Sequence, residues 1–262
     1  MKVSSNRENL LPVAVDGTLR VLNAGLNAGV EQIIKTSSIV AMFRKPNRTN
    51  PYTFGENDWS DENWIEGVSD YFLSKTKAEK AAWRLMESKG LKNKLTTINP
   101  GGVFGDALDK KGGTSIEYIR QFMKGKFPGA PKFAVLISDV KDIAKAHVAC
   151  IGNNKVGGRR LIVGKEVKKL VELSQLIAEA MPEYKKKLPK KELPNLMVKL
   201  ISYIDSSAKT MIPDLGIMMQ TDTSYAEEIL GFKFKPAKGL SLIHISEPTR
   251  QAEISYAVFC LK

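Results

Sequence analysis

Tyr71-Phe72-Leu73-Ser74-Lys75 lies between two short strand-like runs. These are Gln32-Ile33-Ile34-Lys35-Thr36-Ser37-Ser38 and Leu95-Thr96-Thr97-Ile98-Asn99, the second closed by Pro100-Gly101-Gly102. On a helix, residues four apart share a face, so this spacing holds a phenol and an ammonium side by side. A phenol titrates near ~10 in water, and a neighbouring cation favours its ionised form. The pair is a tunable proton donor. A lysine-rich chain also produces Tyr-x-x-x-Lys by chance, so the weight comes from the surroundings. The first, apolar run reads as a buried strand, the second as the next strand, and the segment from Tyr71 to about Ser88 as a helix closed by Gly90. Strand, helix, strand at this spacing is a parallel crossover unit, and open parallel sheets bind ligands beyond the carboxyl ends of their strands. Ser38 and Pro100 mark two such ends, and Tyr71 begins the helix between them.

Outward from that unit, residues 8–28 read as a helix with a broad apolar face, stopped by Gly29. Residues 44–68 are polar, with prolines and asparagines, and read as a loop. Residues 104–133 are glycine-rich and irregular around a short helix at 114–124. A strand is expected at 134–137 and a helix at 139–149, with His147 and Cys150 near its end as packing residues. A last strand is expected at 160–164, then helices at 167–181 and 194–211. Lysines 185–187, 190 and 191 flank Pro189 and read as a solvated face.

Of 262 residues, 43% are hydrophobic and 26% charged, a soluble globular composition sufficient for one domain plus a lobe. There is no apolar run of membrane-spanning length and no charged-then-apolar leader at Met1, so a cytoplasmic location is expected. Cys150 and Cys260 are too few and too far apart for a disulfide framework or a metal cluster. No metal is expected. The net charge of +12 is spread along the chain without a basic, aromatic-interleaved stripe. Neither nucleic acid nor membrane is expected as a partner, and oligomeric state is not legible.

Five blocks together resemble one family. They are Asn-Leu-Leu-Pro-Val-Ala-Val-Asp-Gly-Thr-Leu-Arg-Val-Leu-Asn-Ala (9–24), Thr-Ser-Ser (36–38), Tyr-Phe-Leu-Ser-Lys-Thr-Lys-Ala-Glu-Lys-Ala-Ala-Trp (71–83), Ile-Asn-Pro-Gly-Gly-Val-Phe-Gly (98–105) and Ser-Asp-Val-Lys-Asp-Ile-Ala-Lys-Ala-His (138–147). In this order they resemble the extended short-chain dehydrogenase/reductases (the epimerase/dehydratase superfamily), in the branch of dihydroflavonol, cinnamoyl-CoA and aldehyde reductases. The resemblance runs from about Leu10 to Gly239. It implies an α/β fold, a partial Rossmann-type parallel sheet in residues 1–164 and a smaller substrate lobe in 165–239. It implies NADP or NAD as cofactor, with NADP favoured, and a small carbonyl compound as substrate. The family's catalytic set falls on Ser38, Tyr71 and Lys75. Tyrosine gives the proton, serine holds the substrate oxygen, and lysine grips the nicotinamide ribose and lowers the tyrosine pKa. Thr36, Ser37, Pro100, Gly101 and Val103 fall where the family lines the nicotinamide pocket, and Ser115 matches a further cofactor contact. Read plainly, Thr36 and Ser37 also end a strand, and Pro100-Gly101-Gly102 also makes a turn.

The resemblance implies reduction of an aldehyde or ketone. A nucleotide-sugar epimerase or dehydratase is the alternative on the same fold, although Ile39 and Val40 stand where dehydratases carry an acidic pair. A non-catalytic dinucleotide sensor is a third reading, against which the retained Tyr71 and Lys75 weigh. The chain carries no Gly-x-x-Gly-x-x-Gly turn of the kind that seats a pyrophosphate on a helix N-terminus. From Leu240 it resembles the read-through translation of a sequencing adapter. Both features suggest a reading frame cut at each end. The chain as it stands is therefore expected to be inactive, with an open edge on the strand at 32–36 and a tail, 240–262, that packs on nothing.

Overall fold

The computed structural model describes residues 7–64, 69–105, 115, 123–125, 128–204, 206–239 and 258–261. Its centre is the pair expected from the sequence. Strand β1 (Gln32–Thr36) runs parallel to β3 (Leu95–Pro100), with Ile33 opposite Leu95 and Thr36 opposite Ile98. On the far side of β3 lies β6 (Arg160–Val163), also parallel. Every residue of β3 and β6 is buried, as befits parallel strands covered on both faces.

Alternation along β1 decides which face each side chain serves. Ile33 packs with Leu22, Ala82, Trp83, Met86 and Leu95, under helices α1 (Arg7–Asn27) and α2 (Asp70–Ser88). Ile34 faces the other way, into a cluster with Ile98, Ala146, Cys150 and Leu161. That face is covered by α3 (Val140–Cys150) and by α7 (Ser224–Leu230), which brings Ala226 and Leu230 back onto the sheet late in the chain.

A second sheet has β5 (Ala134–Asp139) at its centre, parallel to β4 (Gly102–Phe104) and antiparallel to β7 (Glu166–Lys169). Helix α4 (Leu170–Ala180) covers it, packing Leu170, Leu173 and Ile177 against Phe104 and Ile137. A third pairing, β2 (Tyr52–Thr53) parallel to β8 (Met219–Gln220), joins the polar loop to a segment late in the chain. Arg44 and Arg48 reinforce that joint. Both side chains are buried on the carboxylate of Asp214. Two short helices, α5 (Asn195–Ile201) and α6 (Ser206–Lys209), precede β8.

Three expectations are corrected. The helix expected over 167–181 begins only at Leu170, because Glu166–Lys169 pair with β5. A long-range ladder here outweighs the local apolar period. The single helix expected over 194–211 is divided into α5 and α6, with Tyr203 and Ile204 exposed between them. The open edge of β1 is filled. Strand β9 (Val258–Leu261) lies antiparallel on it, with Lys35 opposite Val258. An unpaired row of backbone donors and acceptors is a template for any β-prone segment, and the tail carries one. Most of the helix expected at 114–124 lies outside the described residues; Ser115 is described as helical and half-buried. No helix among the described residues is long and apolar enough to cross a membrane.

Candidate active site

The candidate residues Ser38 and Pro100 meet where β1 and β3 end. Ser38 is extended (φ −164°, ψ 152°) and caps a short 3-10 turn over Ile39–Ala41, its Oγ accepting from the Val40 N–H at 3.4 Å. The same hydroxyl donates to the carbonyl of Pro100 at 3.4 Å, so the two strand ends touch through Ser38. Beyond the turn, Phe43 and Arg44 fold against the start of α2. The Phe43 ring meets Phe72 edge-on at 6.2 Å, and the Arg44 guanidinium lies 3.5 Å over the same ring. Phe72 is the neighbour of Tyr71, so the serine turn and the tyrosine helix are packed together.

Helix α2 starts on Ser69, whose hydroxyl accepts from the Phe72 N–H, with Asp70 placed in the first turn to suit the helix dipole. Tyr71 is 47% exposed in that turn. One turn on, the Lys75 Nζ lies 5.7 Å from the centre of the Tyr71 ring. Burial, and then the charge of Lys35, push the Lys75 amine down to about 8. Lysine remains mostly cationic at neutral pH and loses its charge within reach of mild alkali.

The two hydroxyls ahead of Ser38 take opposite directions. Thr36 Oγ1 lies 2.8 Å from His147 Nε2 on α3. His147 Nδ1 is 2.8 Å from the Ile143 carbonyl, so that nitrogen carries the proton and Nε2 accepts from Thr36. Ser37 is turned the other way, with its hydroxyl donating to Glu79 beneath α2. Its side chain is buried and committed to Glu79.

Pro100 is buried, and Gly101 and Val103 are half-buried along the β3–β4 connection. Gly101 cannot be replaced without movement, since a Cβ there would lie 2.2 Å from the Leu136 carbonyl oxygen. Its N–H donates to Ser138 Oγ at 2.8 Å. Thus the glycine is required for close contact with β5.

Glu79, Asn99 and Arg160 were not foreseen from the sequence. Glu79 is fully buried beneath the rim, with Asn99 and Arg160 beside it. The one sequence signal was Asn99, an amide inside a predicted strand, where asparagine is depleted unless it has partners. His147 and Cys150 stand on α3, and burial pushes the Cys150 thiol up to about 12.

Residues 1–153 match the 3-beta hydroxysteroid dehydrogenase/isomerase family. The chain is 30% identical over 181 residues to cinnamoyl-CoA reductase 1 of Oryza sativa subsp. japonica, covering 69% of this chain and 53% of that one. It is 30% identical over 252 residues to the NADPH-dependent methylglyoxal reductase of Saccharomyces cerevisiae, covering 89% of this chain and 68% of the relative. Among solved structures, yeast methylglyoxal/isovaleraldehyde reductase complexed with NADPH superposes with a TM-score of 0.72 at 26% identity, over 94% of this chain and 72% of that chain. The chain spans 53% to 61% of the length of the cinnamoyl-CoA reductases it matches from rice, Arabidopsis and Petunia.

Proposed function

The chain belongs to the 3-beta hydroxysteroid dehydrogenase/isomerase family, and from that footing we propose that it carries the proton-transfer half of an NADPH-dependent reductase acting on a small aldehyde or ketone. The observation that carries this reading is the Tyr71–Lys75 pair at the start of α2, beside Phe72, whose ring packs edge-on against Phe43 just beyond the turn that begins at Ser38. Ser38 Oγ and the Tyr71 phenol orient the carbonyl oxygen, and Tyr71 donates the proton that converts it to an alcohol. Lys75, a cation below about pH 8, favours the phenolate left behind. A nicotinamide cofactor, when bound, supplies the hydride.

The residues present fit the nicotinamide end of such a cofactor. Lys75 offers an ammonium to ribose hydroxyls. The backbones of Thr36, Ser37, Pro100, Gly101 and Val103 line one rim, with Ser115 as a further contact. That NADPH rather than NADH is used is supported by the named dependence of the yeast relative. The substrate class, a small aldehyde, is supported by the same name.

The test is carbonyl-dependent oxidation of NADPH, with methylglyoxal and isovaleraldehyde as substrates. It is run on this chain and on a fusion preceded by the glycine-turn segment of the yeast reductase. Turnover by the fusion, abolished by Tyr71→Phe, is the expected result. A fusion that binds NADPH yet reduces no carbonyl overturns the reading.

A further inference from the structure

Glu79 lies two helical turns beyond Tyr71 and one beyond Lys75, on the face of α2 that meets the sheet. Its carboxylate has no exposed surface. One oxygen accepts from the Ser37 hydroxyl and from Asn99 Nδ2 at 2.8 Å. The other accepts from Arg160 Nε at 2.6 Å and Trp83 Nε1 at 3.3 Å; Thr97 Oγ1 lies 3.2 Å from it but makes its shorter bond, 2.8 Å, to Asn99 Oδ1. Asn99 Nδ2 also donates to the Ser38 carbonyl at 3.1 Å. Two hydrogen bonds therefore connect the helix of Tyr71 to the backbone of Ser38.

We infer that Glu79 is a positioning residue for proton transfer, locking the strand end that bears Ser38 to the helix that bears Tyr71 and Lys75. It touches no reacting atom and acts through Ser37 and Asn99. A carboxylate suits this place because every neighbour presents a donor, and an ionised carboxylate accepts with all its lone pairs. Glutamine would turn an NH2 toward at least one donor. Burial opposes the charge, but Arg160 beside it, with the Ser37 hydroxyl and Lys35, holds the group below the usual carboxylate range. Arg160 is itself anchored. It donates to the Glu56 carbonyl at 2.9 Å and its guanidinium lies 3.7 Å over the Trp59 ring. The lock thus extends into the loop that flanks the rim.

Simple packing accounts for a buried residue but not for this arrangement. A residue that only filled space would have no reason to bond both the serine strand and, through one amide, the serine itself. The lock is also specific in length. Aspartate keeps the charge but falls one methylene short of holding Arg160 and the Ser37/Asn99 pair together.

The decisive experiment is amide hydrogen exchange on the full chain, comparing Glu79→Asp with the unsubstituted protein. Exchange at residues 37–41 and 70–75 should quicken by ~10-fold or more through local opening, while β5 exchanges as before. Uniform quickening everywhere, or none at the rim, overturns the inference. Glu79→Gln strands a buried guanidinium, so it is paired with Arg160→Met, which removes both charges. That double variant should fold and show the same local loss. In the fusion assay, Glu79→Asp should lower kcat by ~10-fold or more without changing the KM for NADPH, and adding Asn99→Ala should cost little further, since coupled residues are not additive. Independent, additive losses overturn the lock. The kcat arm rests on the reductase reading. If the unsubstituted fusion reduces no carbonyl, that reading fails and exchange alone judges Glu79.

Discussion

The Lys75 Nζ lies 5.7 Å from the centre of the Tyr71 ring, with both side chains on one face of α2 and the lysine amine pushed down to about 8. A cation so placed stabilises a phenolate and is removable by a small rise in pH. The two residues therefore form a unit whose acidity depends on both members.

Removing the acid should separate chemistry from binding. In the fusion, Tyr71→Phe is expected to lower turnover by ~10²–10⁴, the usual worth of a positioned general acid. NADPH affinity, read by nucleotide fluorescence, should change little. Wild-type turnover by this variant would show that another group supplies the proton.

Lys75 makes a pH prediction with a definite sign. Its folded pKa of about 8 lies below the ordinary 10.5, so the native state binds fewer protons than the unfolded state between those values. Stability from this group therefore rises as pH increases from about 8 toward 10.5. Chemical denaturation of Lys75→Met should lack that rise. Turnover should shift as well, since loss of the cation raises the phenol pKa and moves the pH–rate profile upward.

His147 gives the complementary acid limb. Burial lowers its pKa, and its two nitrogens are already used, one donating to Ile143 and one accepting from Thr36. Protonation removes the acceptor that Thr36 uses. The native state binds fewer protons than the unfolded one below about pH 6.5, so this contribution falls as pH falls through the lowered value. Denaturation midpoints between pH 7 and 5 should slope less steeply in His147→Gln than in the unsubstituted protein. Equal slopes would show that the Thr36 contact is energetically silent.

Gly101→Ala should cost stability through overpacking. The new methyl would meet the Leu136 carbonyl oxygen at 2.2 Å and Leu136 Cβ at 2.8 Å, and two strands must part to admit it. A loss of about 1–3 kcal/mol is the usual scale, measurable by urea denaturation. An unchanged midpoint would mean the β4–β5 contact yields freely.

Strand β9 protects an edge. Deleting residues 240–262 would expose the row of backbone groups on β1 that Val258–Leu261 now satisfy. Sedimentation should show concentration-dependent association of the shortened chain, reversed when the tail is restored. A shortened chain that stays monomeric at every concentration would show that the β1 edge is protected by other means.

The crossover unit was readable because its signals are local. Ile33, Ile34 and Ile98 mark strands, Gly90 closes a helix, and a four-residue interval brings Tyr71 beside Lys75, all without reference to distant residues. Where distant partners intervened, local signals misled. Val167, Lys168 and Lys169 carry no strand signature strong enough to outweigh the helical period that follows, yet β5 recruits them. Glu79 looked like one more charge on a lysine-rich helix. It became the fully buried acceptor of Ser37, Asn99 and Arg160, residues 42, 20 and 81 positions away, because packing α2 onto the sheet removed water and brought those donors around one carboxylate. Periodicity and spacing act through the chain's own geometry and survive in a bare sequence. Desolvation and charge pairing exist only after the elements have met.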